Sequence, residues 1–313
     1  MPSDLQDKVL EWLRREGYPL EFSTALAFSR FFDVSQGIYV RTSADESPRE
    51  IDVVAKYHQH VGEHLVRIEH VVECKWSRDK PWVVFCSPFG EMAPSACINQ
   101  TIASSLGRAA LWLEAGSKRL EKLRYFAVPK QPGFGGRQAL GESQDNFYKA
   151  AQGVVTAASA RMASYDQRTA TGVELPYASV VAFPLIVIEG ELFEAYADSA
   201  HEMQVRPVRS TRLHWKGAAA WNFHATIDIV TSAALSDYVE ERAREAPTLL
   251  RALSNAVTRI ERFSKSGRRA DLRVTRGPRG TLGLPSLLAR VAKAHVEAAG
   301  AAKKQLTSRP GTA

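Results

Sequence analysis

Arg49-Glu-Ile-Asp-Val-Val-Ala-Lys56 and His70-Val-Val-Glu-Cys-Lys-Trp76 are the two runs that decide what kind of fold this chain adopts. Both have the apolar, β-branched character of strands, and both carry charge where a half-buried strand usually has neutral side chains. Alternation along a strand puts Glu73 and Lys75 on one face with Val71, and Val72 and Cys74 on the other. In the earlier run Ile51, Val53 and Ala55 form the apolar set, with Glu50, Asp52, Val54 and Lys56 opposite. If the two runs pair as neighbours through a polar loop at 58–64, Asp52 lies beside Glu73. Two carboxylates and a lysine then converge at one strand end.

Working outward, Ser3 and Gln6 form a capping box, and Leu5, Val9, Trp12 and Leu13 recur at helical spacing up to Gly17. A second helix is expected over 19–32, with Glu21 sharing a face with Ala25 and Phe28. A short strand follows at 37–41. After the two central runs come a strand at 81–86, one continuous helix over 95–113, a short strand at 124–128 and a mobile glycine-rich segment at 133–141. A helix is expected over 143–162. The run at 177–188 is almost unbroken in its apolarity, as expected of a strand buried on both faces. Further strands are expected at 192–196, 203–215 and 223–230, then two helices at 233–245 and 247–263, and a last helix at 285–302.

Asp52 followed by Glu73-Cys74-Lys75, with Glu21 on a preceding helix, resembles the PD-(D/E)xK nuclease superfamily. The order helix, three strands, helix, strand over about 4–190 is similar to that family's core. The first motif, Glu50-Ile51-Asp52, lacks the family's proline, while Glu73-Cys74-Lys75 is a complete E-x-K. The resemblance implies an α/β, restriction endonuclease-like core over 1–190, a mixed central sheet flanked by helices. Extra C-terminal strands and helices follow over 191–263, and then a basic, partly disordered tail over 264–313. It implies a metal-dependent endonuclease of restriction or defence type, a hydrolase giving 5′-phosphate and 3′-hydroxyl ends. Asp52, Glu73 and the backbone carbonyl of Cys74 would hold Mg²⁺ or Mn²⁺. Lys75 would orient or deprotonate the attacking water and stabilise developing charge, and Glu21 would complete the site or bind a second metal. The chemistry stands independently of the family. An anionic phosphodiester resists attack unless positive charge sits by its oxygens, and hard divalent cations held by carboxylates supply it.

Other assignments compete with these. E-x-K on a solvated strand is an ordinary ion pair, Glu21 can serve a helix start through the macrodipole, and Glu50 is expected to be a solvated strand-edge carboxylate. Gln100 lacks the tyrosine four residues on that some family branches carry. His58, His60, His64 and His70 are expected in a solvated loop, with metal binding the less favoured alternative. A nuclease-fold module that binds nucleic acid or a protein partner without cutting it is the alternative to the enzyme.

Composition narrows the class. Of 313 residues, 45% are hydrophobic and 24% charged, ordinary for a globular protein with a sizeable core. No apolar run of membrane-spanning length and no secretory signal is present, so a cytoplasmic protein with no membrane partner is expected. Cys74, Cys86 and Cys97 show no C-x-x-C spacing and are expected to be buried and reduced. The net charge is +7; residues 265–313 hold 11 Lys and Arg against 2 acids, a local +9, leaving about −2 for the rest. Such a tail suits either the phosphate backbone of nucleic acid or a solvated or partner-binding arm, and double-stranded DNA is the expected partner of the nuclease reading. Cutting both strands with one centre per chain would favour a homodimer.

Overall fold

The structure is a computed structural model that describes residues 4–41, 48–77, 80–87, 93–140, 146–170, 178–216 and 224–266. The basic tail, apart from residues 264–266, and the helix expected at 285–302 lie outside them. In chain order the elements are α1 (Asp4–Glu16), α2 (Tyr18–Ser29), β1 (Asp33–Val40), β2 (Arg49–Val61), β3 (His64–Trp76), β4 (Trp82–Cys86), α3 (Pro94–Gln100), β5 (Ile102–Ala103), α4 (Ser105–Glu114), β6 (Gly133–Gln138), α5 (Asn146–Ala170), β7 (Ala178–Glu189), β8 (Leu192–Ala197), β9 (Met203–Pro207), β10 (Ser210–Lys216), β11 (His224–Thr231) and α6 (Leu235–Ser266).

The fold is α/β, one large mixed sheet flanked by helices. Among the described residues the strands run β1-β2-β3-β7-β11-β10-β6-β4-β8-β9, with β5 pairing β7 off this path. β1, β2 and β3 form an antiparallel meander, and β7 then joins β3 in parallel over its whole length. β10 and β11 come late in the chain but insert at the middle of the sheet, between β7 and β6.

β7 shows why this sheet forms. Residues Ser179 to Ile188 are all buried, because α4 and α6 cover one face and α5 the other. Each such valine, leucine or isoleucine contributes roughly 1.5–3 kcal/mol through burial. One core layer holds Val53, Ala55, Val72, Cys74 and Leu185 against α2, α4 and α6; the other holds Val54, Val71, Ile186 and Ile188 against α5.

Several expectations are corrected. The loop expected at 58–64 is strand: β2 and β3 continue to Val61 opposite His64, closed by Gly62 and Glu63, with Gly62 at φ 59°. The helix expected over 95–113 is broken. Ile102 and Ala103 pair with β7, and the Ser104 hydroxyl caps α4 by accepting from Gly107 N–H at 3.2 Å. The apolar spacing of Ile98, Ile102 and Leu106 continues across that break and hides it.

The strand expected at 124–128 is absent. Its backbone is satisfied by side chains instead: Arg124 N–H donates to Glu245, and Arg212 donates to the carbonyls of Tyr125 and Ala127. The glycine-rich 133–138 segment is strand β6, not a mobile loop. Its glycines admit close neighbours: a Cβ on Gly136 would sit 2.5 Å from the Phe147 ring. The two helices expected at 233–263 are one. Ala246, Leu249, Leu250 and Leu253 are buried on either side of Pro247, and that packing outweighs the missing N–H.

Candidate functional site

The paired β2 and β3 end at the position that matters. Their ladder runs from Val61–His64 to Val53–Val72, and the next residues facing one another are Asp52 and Glu73. There the backbone pairing gives way to a side chain: the Cys74 N–H donates to Asp52 Oδ2 at 2.7 Å. The β1–β2 register likewise skips the Gly37–Asp52 pair, with Gly37 at φ 60°. The alternation expected for β2 fails at this point. Ile51 packs with Val54 and Val71 on the α5 side, not with Val53 and Ala55. A strand distorted at Asp52 aims its carboxylate along the edge of β3 rather than away from it.

On β3, Glu73 and Lys75 share a face as alternation requires, with Lys75 Nζ 2.5 Å from Glu73 Oε1. Lys75 keeps 35% of its side-chain exposure, so it does not face an apolar interior. Cys74 points to the other face, its thiol donating to Thr24 Oγ1 at 3.6 Å, and burial pushes that thiol far up. Only the backbone of Cys74 is therefore available to the site. Cys86 and Cys97 are also free and buried.

α2 supplies Glu21, which is half-buried while Leu20, Thr24, Ala25 and Phe28 pack inward. Burial raises its pKa, and Glu50 and Glu73 add to this against the opposing pull of Lys75. Glu21, Asp52 and Lys75 thus each feel the charge of Glu73. Asp52 is the most perturbed. Burial, followed by the negative charge of Glu73, pushes its carboxyl up to about 7, against the Cys74 N–H and Lys75. Burial pulls Lys75 down, but Glu73 and Asp52 outweigh it and hold the ammonium above its ordinary range.

Asp52 and Glu73 would be the residues to hold a cation. Among the described residues no group of three or more His, Cys, Asp and Glu side chains converges as a ready-made metal cage. The donor set still fits Mg²⁺, which binds through one or two carboxylates and keeps several waters. A raised Asp52 beside Glu73 marks a place short of positive charge. Cys74, its thiol turned away, offers no soft ligand.

The other candidates fall elsewhere. Glu50 is exposed, as expected, and accepts a hydrogen bond from the Tyr39 hydroxyl across the β1–β2 pair. Gln100 ends α3, and its Oε1 lies 3.2 Å from His214 Nε2. The four histidines do not share a solvated loop. His58 lies 3.3 Å from Asp33 and His60 is exposed, but His64 and His70 are buried. His70 sits against the Tyr125 hydroxyl, and burial lowers its pKa to about 3.

Sequence reasoning missed Gly153 on α5 and Arg49 on β2. A Cβ on Gly153 would lie 3.0 Å from Arg49 Nη1 and 4.0 Å from Glu73 Oε2, so this glycine leaves room for both side chains. An isolated glycine inside a helical pattern was the available signal. None of the described helices is long and apolar enough to cross a membrane. Comparison with protein-family models, with curated proteins and with solved structures finds no match to this chain.

Proposed function

We propose that this protein hydrolyses phosphodiester bonds in DNA with Mg²⁺ or Mn²⁺, as an endonuclease of restriction or defence type built on a restriction endonuclease-like core. The observation that carries this is the Asp52 carboxylate seated on the Cys74 N–H, beside the Glu73–Lys75 pair. A divalent ion at Asp52 and Glu73 would polarise the phosphate and lower the pKa of an attacking water. Lys75, held as an ammonium, stabilises charge that develops on the phosphate oxygens and is poorly suited to be the base. Glu21 accepts a proton more readily than an ordinary carboxylate would and faces the same cluster.

The test is cleavage of DNA by the purified full chain. Asp52→Ala and Lys75→Met are each expected to lower the rate by about 10²-fold or more while leaving circular dichroism unchanged. Cutting at the wild-type rate by both variants would remove these residues from the reaction. A non-cutting, nucleic-acid-binding module is the second reading. It is favoured by the close Glu73–Lys75 ion pair, which can satisfy Glu73 without any metal. Calorimetric titration separates the two, since Mg²⁺ uptake that Glu73→Ala abolishes belongs to the enzyme.

A further inference from the structure

Four large aromatic side chains stand exposed around the carboxylate cluster: Trp12 at 45%, Tyr18 at 39%, Tyr39 at 62% and Trp76 at 42%. Tyr18 and Trp76 adjoin residues of the site in the chain, Tyr39 adjoins Glu50 beside it, and Trp12 joins them through Tyr18. Trp76 ends β3 on the Cys74 face, the side that carries α2, Tyr18 precedes Glu21 by three residues on α2 and so shares its face, and the Tyr39 hydroxyl donates to Glu50. The Trp12 and Tyr18 ring centroids are 5.8 Å apart.

Gly17 is the pivot. At φ 89° it turns α1 directly into α2, and a Cβ there would stand 3.4 Å from Trp76 Cβ. The corner carrying Trp12 and Tyr18 is thereby set over Trp76. Exposed arginines belong to the same elements, Arg14 and Arg15 in the last turn of α1 and Arg41 after β1, with Glu11 before and Glu16 after the α1 pair.

We propose that this rim stacks on unpaired bases, so that the substrate of the adjoining centre is DNA with unpaired nucleotides next to the scissile phosphate, such as a flap, gap or single strand. This rests on the nuclease reading above and narrows its expected duplex substrate. Bases in continuous duplex are closed within their own stack and offer no π-face to a protein side chain. Unpaired bases do, and a groove that combines aromatics with arginines suits them without regard to sequence. The arginines match the phosphates that accompany such bases. A second copy of this chain docking on the same corner is the competing occupant, since Leu5, Val9, Phe22 and Leu26 on α1 and α2 are also exposed.

The experiment uses the full chain in Ca²⁺ or EDTA, with fluorescence anisotropy of labelled oligothymidylate and of a duplex of equal length at matched salt. The wild type should favour the single strand by at least ~5-fold. Trp12→Ala and Tyr18→Ala should each remove most of that preference, and Trp12→Phe should keep it. α1 has no buried residue, so Trp12→Ala does not threaten the fold. No preference in the wild type, or a preference untouched by both alanine variants, overturns the proposal. So does sedimentation showing a dimer that Trp12→Ala dissociates. Cleavage of the same oligonucleotides in Mg²⁺ keeps the two readings apart. Asp52-dependent cutting without single-strand preference sinks the stacking rim alone. Trp12-dependent single-strand binding with no cutting in Mg²⁺ or Mn²⁺ sinks the nuclease and leaves the rim.

Discussion

Asp52→Asn should make the metal-free protein more stable, although it removes a residue central to the proposed chemistry. Asparagine keeps an oxygen to accept the Cys74 N–H and discards the charge that burial and Glu73 oppose. The carboxyl moves from an ordinary 3.8 to about 7. At ~1.36 kcal/mol per pH unit that shift sets a ceiling of about 4 kcal/mol, which partial exposure and solvent screening reduce to roughly 1–2 kcal/mol.

The sign follows from proton uptake. Between 3.8 and about 7 the folded protein binds a proton that the unfolded chain has released, so stability falls as pH rises through that window. The advantage of Asp52→Asn should therefore be nearly absent near pH 4, below about half its full size near pH 5, and complete above about pH 7.5. Urea denaturation at these three values measures it. Mg²⁺ should reverse the order by stabilising only the wild type, by about 2.7 kcal/mol at a hundred times its dissociation constant. A variant less stable than the wild type at high pH, or an advantage that does not change with pH, would refute the account of this carboxylate.

Two further predictions concern the scaffold. Gly107→Ala on α4 would place a Cβ 2.3 Å from the Val180 carbonyl oxygen of β7. The backbone clash should outweigh the ~1 kcal/mol gain in helix propensity and lower stability by roughly 1–3 kcal/mol, read as a reduced urea midpoint. Asp228 on β11 accepts from the buried Arg242 and Tyr238 and from the largely buried Arg212, and the two guanidiniums hold it far below the usual carboxylate range. Asp228→Ala leaves one buried and one largely buried arginine without this partner and should cost about 3–5 kcal/mol in thermal or urea unfolding, away from the proposed site.

The local rules carried far where they concern the chain alone. Alternation along β3 put Glu73 and Lys75 on one face, and the ion pair between them follows from that spacing. The apolar run of β7 announced a strand covered on both sides. The same rules failed where another part of the chain supplied what local sequence lacked. Ile98, Ile102 and Leu106 keep a helical period across a break that the Ser104 hydroxyl and the edge of β7 impose. The glycines of β6 look like a loop until Phe147 and Val84 are seen to occupy the space of the missing side chains. Pro247 looks like a helix end until the buried residues on either side hold α6 in one piece.

For the site, the sequence by itself determined which residues carry charge on two strand-forming runs, because side-chain chemistry and two-residue periodicity are local properties. Only the tertiary structure decided that Asp52 turns onto the Cys74 N–H, that Ile51 changes sides, and that Gly153 of α5 leaves room for Arg49 and Glu73. Those depend on where the β2–β3 ladder stops and on what α2 and α5 press against it, and long-range packing of that kind leaves no periodic trace in the segments it acts on.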